Sequence, residues 1–210
     1  MAARIQARRR RGAAAREALV SERGYWLGAE ATALGMHDFD EKLSAGLVSF
    51  FAREAAARVA DLGCGAGHYV AALNAAHILA DGFDGNPATV EMTGGAASRC
   101  SVLDLSVPQR LSQRYDWVLS LEVGEHLPRA YEAVFLGNLH ANNTRGIVLS
   151  WAIVGQGGDG HVNERDNDYV REQIHALGYI TDHAAEARLR SSVRLDYFAN
   201  TVMVFRRRVG

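Results

Sequence analysis

Short apolar runs recur along the chain, and longer segments with helical periodicity separate them. The runs occupy residues 58–62, 78–83, 100–103, 117–121, 146–151 and 201–205. They are rich in Val, Ile and Leu and apolar at successive positions, which is typical of strands buried on both faces of a sheet. The pattern predicts an α/β fold in which a mostly parallel sheet lies between two layers of helices.

Three intervening segments have the apolar spacing or the end signals of helices. Residues 40–51 and 129–140 each place their large apolar side chains on one helical face. A third helix is expected to start after Asp166, as its N-cap, and to end at Gly178. The last run, 201–205, follows so closely on the segment before it that we expect an antiparallel edge strand.

Length and composition indicate one globular domain. The chain has 210 residues, of which 48% are hydrophobic and 22% charged, so neither a disordered nor a fibrous protein is expected. We predict a basic flexible tail at residues 1–16 and a single domain at 17–210. Within that domain, residues 17–54 form an N-terminal lid or helix and residues 55–210 form the core.

Positive charge is concentrated at the two ends of a chain whose formal net charge is −1. Arginines cluster between residues 4 and 11 and again at Arg206, Arg207 and Arg208. A nucleic-acid surface needs basic charge spread over a folded face. We therefore interpret both clusters as solvated tails and do not expect nucleic acid as a partner.

Cysteine usage and hydropathy bear on the compartment. Cys64 and Cys100 are the two cysteines, too few for a disulfide framework or a structural zinc site, which favours a reducing compartment. No apolar run approaches the ~20 residues of a membrane span, so no membrane partner is expected. The cytoplasm is the prediction, and an organelle is the alternative, because residues 1–16 are rich in Ala and Arg like a transit peptide.

A glycine-rich turn follows the first predicted strand. Its sequence runs from Asp61 through Gly63, Gly65 and Gly67 into a predicted helix at residues 68–76. Glycines allow a sharp turn and a close approach of the backbone to a ligand. The dinucleotide fingerprint G-x-G-x-x-G places its third glycine one position later, and the turn lacks a Walker lysine. The spacing alone leaves several nucleotide ligands open.

The G-x-G-x-G spacing with an acid two residues ahead resembles motif I of the class I S-adenosylmethionine (SAM)-dependent methyltransferases. The resemblance implies that this loop wraps the amino-acid end and ribose of SAM and that Asp61 helps to hold the methionine ammonium. It also implies that Asp84, about 20 residues further on, accepts the ribose hydroxyls and that Asp104 meets the adenine amino group. Leu105 and Leu121 complete the expected cofactor contacts.

The segment Tyr115-Asp-Trp-Val-Leu-Ser-Leu-Glu-Val-Gly-Glu-His-Leu-Pro128 is similar to motif IV of the same family. Together the motifs extend the resemblance over most of residues 59–205. It implies a doubly wound seven-stranded sheet whose last strand is antiparallel, with helices on both faces. It also implies an enzyme that transfers the methyl group of SAM and releases S-adenosylhomocysteine.

Candidate catalytic residues come from the loop after the fourth strand. Glu122 is nearest the strand end and is expected to orient a substrate or polarise SAM, and Glu125 is a further candidate. His126 can accept a proton at neutral pH, because its unperturbed pKa lies near 6.5. Capping of the next helix by His126 is the alternative.

Candidate substrate residues lie in two places. Tyr25 and Trp26 precede the first core strand, where the family often folds a lid over the site, although docking of the lid helix is equally compatible with them. The glycine-rich segment after the fifth strand adds polar groups and one aromatic ring that could face a cation or belong to the core. The candidates in this segment are Trp151, Gln156, His161 and Asn163.

A small-molecule acceptor is predicted, with an oxygen, nitrogen or sulfur nucleophile, because the chain shows neither a recognition domain nor a basic groove. A protein or RNA methyltransferase and a non-catalytic SAM-binding subunit are the alternatives. No metal site is expected, because Trp151 follows Ser150 where a catechol-type enzyme has a paired Asp-Asn. The oligomeric state is left open.

Overall fold

A computed structural model describes residues 19–30 and 38–208. The predicted tail at residues 1–16 lies outside this part of the chain. Seven strands form one sheet in the order β3-β2-β1-β4-β5-β7-β6. Their bounds are β1 Arg58–Leu62, β2 Leu79–Asp84, β3 Cys100–Val102, β4 Tyr115–Ser120, β5 Asn143–Leu149, β6 Tyr179–Thr181 and β7 Met203–Arg207.

The first five strands pair in parallel, and β7 pairs antiparallel with both β5 and β6. The antiparallel direction of β7 confirms the prediction, but its placement at an edge is wrong. β7 lies inside the sheet because Met203, Val204 and Phe205 are fully buried and need neighbours on both sides. The edge strand is β6, which spans three residues and is too short to show a periodic pattern.

Helices cover both faces of the sheet, as predicted. Their bounds are α1 Glu41–Arg53, α2 His68–Ala75, α3 Thr89–Met92, α4 Glu132–Ala141, α5 Asn167–Ala176, α6 His183–Arg190 and α7 Phe198–Thr201. Within the described residues, none of them is both long and apolar enough to span a bilayer.

The helix starts differ in how they are capped. At α1, one carboxylate oxygen of Asp40 accepts the backbone N–H groups of Lys42 and Leu43, and the other accepts those of Arg194 and Leu195. This cap ties the start of α1 to the segment before α7. Asp166 stands at the predicted N-cap of α5 but makes no side-chain cap hydrogen bond.

The core has one cluster on each face of the sheet. On one face, Phe50 and Phe51 of α1 pack edge-on against the buried ring of Trp117 in β4. On the other face, Phe135 of α4 packs against Trp151. The sheet is therefore covered on both sides, which explains why its central strands are apolar at successive positions.

Two of the C-terminal arginines, Arg206 and Arg207, do not lie in a solvated tail. The guanidinium of Arg206 binds both carboxylate oxygens of Glu54, at 2.7 and 2.8 Å, and its Nε binds Asp182 at 2.7 Å. Arg207 lies over the ring of Tyr179. Both arginines belong to β7 and bind the strand to its neighbours, so the interpretation of this cluster as a tail is wrong for them.

Candidate active site

The carboxyl ends of the parallel strands bring four acidic residues to one edge of the sheet. Asp61 lies near the end of β1, Asp84 ends β2, Asp104 follows β3, and Glu122 follows β4. They surround a cavity of about 420 Å³. That volume lies within the range of small-ligand sites, and the place is where open α/β sheets bind ligands.

Most of the residues singled out from the sequence line this cavity. They are Tyr25, Trp26, Asp61, Gly63, Gly65, Asp84, Asp104, Leu105, Leu121, Glu122, His126, Gln156 and His161. Residues far apart in the chain therefore form one site.

The glycine loop needs its glycines for different reasons. Gly63 has φ of +91°, and a Cβ there would stand 2.3 Å from Cγ2 of Val123. Gly67 has φ of +74° and is the N-cap of α2, with Thr93 and Cys100 about 3 Å from the position of a Cβ. Gly67 is not among the described lining residues, so it shapes the turn and allows close packing beneath the loop.

Asp84 holds the glycine loop in place. One of its carboxylate oxygens accepts the backbone N–H of Gly65 at 2.9 Å, and the other accepts that of Asn86 at 2.9 Å. Each oxygen retains a further lone pair that a ligand hydroxyl can use. Asp84 therefore joins the loop after β1 to the turn after β2.

Asp61 carries an unsatisfied oxygen. The residue is 2% exposed, and within the described part of the chain its Oδ2 has no hydrogen-bond partner. Burial raises the pKa of this carboxyl well above its usual value, and the nearby Cys100 and Asp84 raise it further. Because a buried carboxylate without a partner is costly, this position suits a ligand that brings a positive charge or several donors.

Asp104 is held by groups from two segments. It accepts the backbone N–H of Ser106 at 2.8 Å and a guanidinium N–H of Arg23 at 2.5 Å. Partial burial acts to raise the pKa of Asp104, but the hydrogen bonds from Ser106 and Arg23 outweigh it and lower the pKa. The carboxylate is thus charged and fixed at the rim of the cavity.

A short hairpin covers one side of the cavity. Val20 and Trp26 form an antiparallel bridge, and the tip approaches so closely that a Cβ on Gly24 would stand 2.1 Å from the carbonyl oxygen of His126. The ring of Tyr25 lies on Gly85, directly after β2. The hairpin brings both predicted aromatics to the cavity wall.

Glu122 begins the loop after β4 in a left-handed backbone conformation, with φ of +51°. Gln156 donates to one of its carboxylate oxygens at 2.8 Å, and Thr201 donates to the other at 3.3 Å. Burial raises the pKa of Glu122, although these hydrogen bonds oppose the rise. A strained backbone that turns a carboxylate into a cavity is common at functional sites.

Glu125 and His126 continue the same loop. Glu125 is fully buried, and burial together with the nearby charge of Glu122 raises its pKa well above the usual value. The ring of His126 lies 5.9 Å from that of Trp26 and 5.0 Å from that of His161. His126 lines the cavity, and its Nδ1 lies 3.3 Å from the carbonyl oxygen of Gly160.

Two predicted substrate residues are structural. Trp151 is 1% exposed, packs in the core, and donates its indole N–H to the carbonyl of Asn163 at 2.7 Å. The side-chain amide of Asn163 donates to Glu132 at 3.0 Å. Neither is among the described residues that line the cavity, so the structure gives the predicted substrate role of these two residues no support. They fix the path of the loop after β5.

Sequence reasoning missed several lining residues. They are Arg23, Asp38, His68, Tyr69, Ser106, Tyr197 and Phe198. Arg23 comes from the start of the chain and Tyr197 from near its end, and neither lies in a recognisable motif. Only their approach in three dimensions identifies them.

Comparison with known proteins identifies the class of fold. No family model and no curated protein matches the chain. Solved structures do match it. The sugar N-methyltransferase KedS8 from Streptoalloteichus is 15% identical, with a TM-score of 0.64 over 80% of this chain and 88% of that one.

Two further structures agree. Magnesium protoporphyrin IX methyltransferase from Synechocystis with bound S-adenosylhomocysteine is 18% identical, with a TM-score of 0.60 over 79% of this chain and 82% of that one. A TehB-like SAM-dependent methyltransferase from Corynebacterium glutamicum is 19% identical, with a TM-score of 0.56 over 86% of this chain and 93% of that one. The chain has the fold of the class I methyltransferases, as predicted.

Proposed function

We propose that the protein is a SAM-dependent methyltransferase that acts on a small-molecule acceptor. The observation that carries the proposal is the unpartnered buried oxygen of Asp61 beside the glycine loop, in a cavity that also contains Asp84 and Asp104. A ligand with an ammonium group, two vicinal hydroxyls and an amino-bearing ring satisfies these three carboxylates together. SAM carries these three groups in the same order along its length as the three aspartates follow one another across the sheet, from β1 to β3.

Each carboxylate has a distinct part in binding. Asp61 faces the ammonium group, and the glycine loop beside it lets the ligand approach the backbone. Asp84 accepts the ribose hydroxyls while it holds Gly65, and Asp104 accepts from the adenine amino group. Leu105 and Leu121 supply apolar contacts to the ligand.

When bound, SAM supplies a methyl group activated by its sulfonium charge. The protein then has to hold the acceptor in line with that methyl, which accounts for much of the rate in a reaction of this kind. Glu122, His126 and Gln156 lie together on the cavity wall and supply the polar groups for an acceptor. Glu122 accepts the proton if the nucleophile must lose one.

A small acceptor follows from the size and cover of the cavity. About 420 Å³ must hold both the cofactor and the acceptor, and the hairpin with Tyr25 and Trp26 closes one side. A folded protein or an RNA helix cannot enter a space of that size, although a single side chain or a terminal nucleotide can. The volume therefore limits the group that enters to the size of a metabolite, and the choice of a free metabolite rests on the lack of a basic groove in the sequence.

Calorimetry on the purified protein tests the cofactor. We expect SAM and S-adenosylhomocysteine to bind and NAD not to bind. Asp61→Asn keeps the shape of the side chain but removes its charge, so SAM should bind about tenfold or more weakly, while the melting temperature is unchanged or higher because an unpartnered buried carboxylate is gone. If the protein binds NAD and does not bind SAM, the proposal is wrong.

A metabolite screen for S-adenosylhomocysteine release tests the reaction and separates the alternatives. Turnover on a small acceptor supports the proposal. Turnover only on protein or RNA favours a macromolecular substrate, and SAM binding without turnover on any acceptor class favours a non-catalytic subunit.

A further inference from the structure

The loops after β4 and β5 bring together a carboxylate and two imidazoles. Glu125, His126 and His161 each offer one ligand atom, and these three atoms all lie within 4.8 Å of one another. We propose that these residues bind a divalent metal ion at the acceptor side of the cavity. The sequence predicted no metal site, because the paired Asp-Asn of catechol-type enzymes is absent after Ser150, and His161 lies 35 positions beyond His126, too far for a short ligand motif.

Glu125 supplies an independent sign of a missing ligand. The residue is fully buried, and within the described part of the chain neither carboxylate oxygen makes a hydrogen bond of good geometry, although the backbone of Ala152 and the side chain of Glu122 lie close to it. Buried polar groups are nearly always satisfied, and a buried carboxylate is normally paired or bound to a metal. A cation between Glu125 and the imidazoles removes this deficit.

The backbone holds the two loops in register at this point. The carbonyl oxygen of Glu125 accepts the N–H groups of both Val162 and Asn163, each at 2.9 Å. These bonds place His161 beside His126, with ring centroids 5.0 Å apart and nearly perpendicular. The cluster is therefore built into the fold and is not a chance meeting of surface side chains.

His161 has the second partner that metal-binding histidines commonly have. Its Nδ1 lies 3.0 Å from a carboxylate oxygen of Glu164, and this contact leaves Nε2 as the nitrogen for an ion. A carboxylate on the far nitrogen fixes the orientation of the ring and raises its basicity toward a metal. Gly158 gives the ring room, since a Cβ there would stand 2.3 Å from Nε2.

The donor set indicates the class of ion. Two imidazoles and one carboxylate suit transition-metal ions such as Zn²⁺, Mn²⁺, Fe²⁺ or Co²⁺, whereas Mg²⁺ and Ca²⁺ favour oxygen ligands alone. Three protein ligands leave at least one coordination position open. Because His126 and His161 line the cavity, that position is available to an acceptor oxygen or nitrogen. This last step rests on the proposed methyltransferase function.

Metal binding to the full-length protein, freed of metal by a chelator, tests the proposal directly. We expect about one equivalent of Zn²⁺ or Mn²⁺ by calorimetry, an absorbance band with Co²⁺, and a higher melting temperature on binding. Glu125→Gln and His161→Ala should each weaken binding by about 100-fold or more. Glu164→Gln should weaken it by about tenfold, as expected for a group behind a ligand.

His183→Ala is the matched control, because His183 is an exposed histidine on α6 whose side chain also lies near a glutamate. It should leave the affinity unchanged. Glu164→Gln and His161→Ala change partly exposed residues of the loop after β5, so they keep the test open if Glu125→Gln does not fold. Wild-type affinity in the folded loop variants, or no binding of any of these ions to the wild-type protein, overturns the proposal.

SAM calorimetry on the metal-free protein separates this inference from the proposed function. The three aspartates proposed to bind SAM, Asp61, Asp84 and Asp104, are not among the proposed metal ligands. SAM should therefore still bind when the metal is removed. If the wild-type protein binds SAM but none of the metal ions, the metal site alone is contradicted. Metal binding without SAM binding contradicts the methyltransferase.

Discussion

At the scale of single residues, Asp84 holds the fold together at the site where we propose that it also binds the cofactor. It binds the glycine loop through Gly65 and its own turn through Asn86, and it still faces the cavity. The sequence marked Asp84 by its distance from the glycines. Its hold on Gly65 became visible only when β1 and β2 lay side by side.

Asp84→Ala should weaken SAM binding by roughly 2–4 kcal/mol, because it removes charged hydrogen bonds to two ribose hydroxyls. Calorimetry with SAM measures the loss. Asp168→Ala, at an exposed aspartate of α5, is the control and should bind SAM as the wild type does. A loss under half the expected value reassigns Asp84 to holding the turn.

At the scale of helices and loops, two residues of the same type in similar sequence positions can have different structural roles. Asp40 and Asp166 both precede a helix, yet only the side chain of Asp40 accepts hydrogen bonds at its helix start. Gly63 and Gly178 both have φ above +90°, but only Gly63 has a side chain where a Cβ would lie. These pairs allow controlled tests.

Asp40→Ala should lower the free energy of unfolding by about 2–4 kcal/mol, because four backbone N–H groups lose their acceptor. Asp166→Ala should cost under about 1 kcal/mol, since only its interaction with the helix dipole is lost. Urea denaturation at pH 7 measures both. Equal losses in the two variants would contradict the assigned difference in capping.

The same side chain predicts a pH dependence. Burial opposes ionisation of Asp40, but the hydrogen bonds from Leu43, Leu195, Arg194 and Lys42 prevail and lower its pKa in the folded protein. Its stabilisation is therefore present above the unfolded-state pKa and is lost as the pH falls through the lower folded-state pKa. Wild type and Asp40→Ala should converge in stability at acid pH, as denaturation at several pH values can show.

Gly63→Ala should abolish measurable SAM binding and destabilise the fold, because the new Cβ meets Val123 and the residue keeps a left-handed backbone. Gly178→Ala meets no atom within 4 Å, so it should cost only about 1–2 kcal/mol of backbone strain and leave SAM binding intact. Calorimetry and thermal melts distinguish the two. Loss of SAM binding in both variants would point to a general effect of left-handed strain.

At the scale of the molecule, the cavity lies at the point in the sheet where the strand order reverses, which is next to β1. β1 lies between β2 and β4, so the connections on its two sides run opposite ways and leave a crevice above their carboxyl ends. The start of the chain, through Arg23 and Trp26, and its end, through Tyr197, cover this crevice from different sides.

Removal of residues 1–16 should leave kcat and KM for a small acceptor unchanged, because the described residues that line the cavity include the predicted cofactor and acceptor groups and begin at Arg23. Steady-state turnover of the shortened protein measures this. A marked rise in KM would make the tail a recognition element and favour a macromolecular acceptor.

The sequence by itself determined the α/β class, the glycine turn and the three aspartates, because each depends on local periodicity or on short spacing within one strand and its loop. The tertiary structure decided the rest. It put β7 inside the sheet, buried Trp151, joined Arg23 to Asp104, and brought His161 to Glu125 and His126. Those outcomes depend on contacts between residues far apart in the chain, which no local pattern encodes.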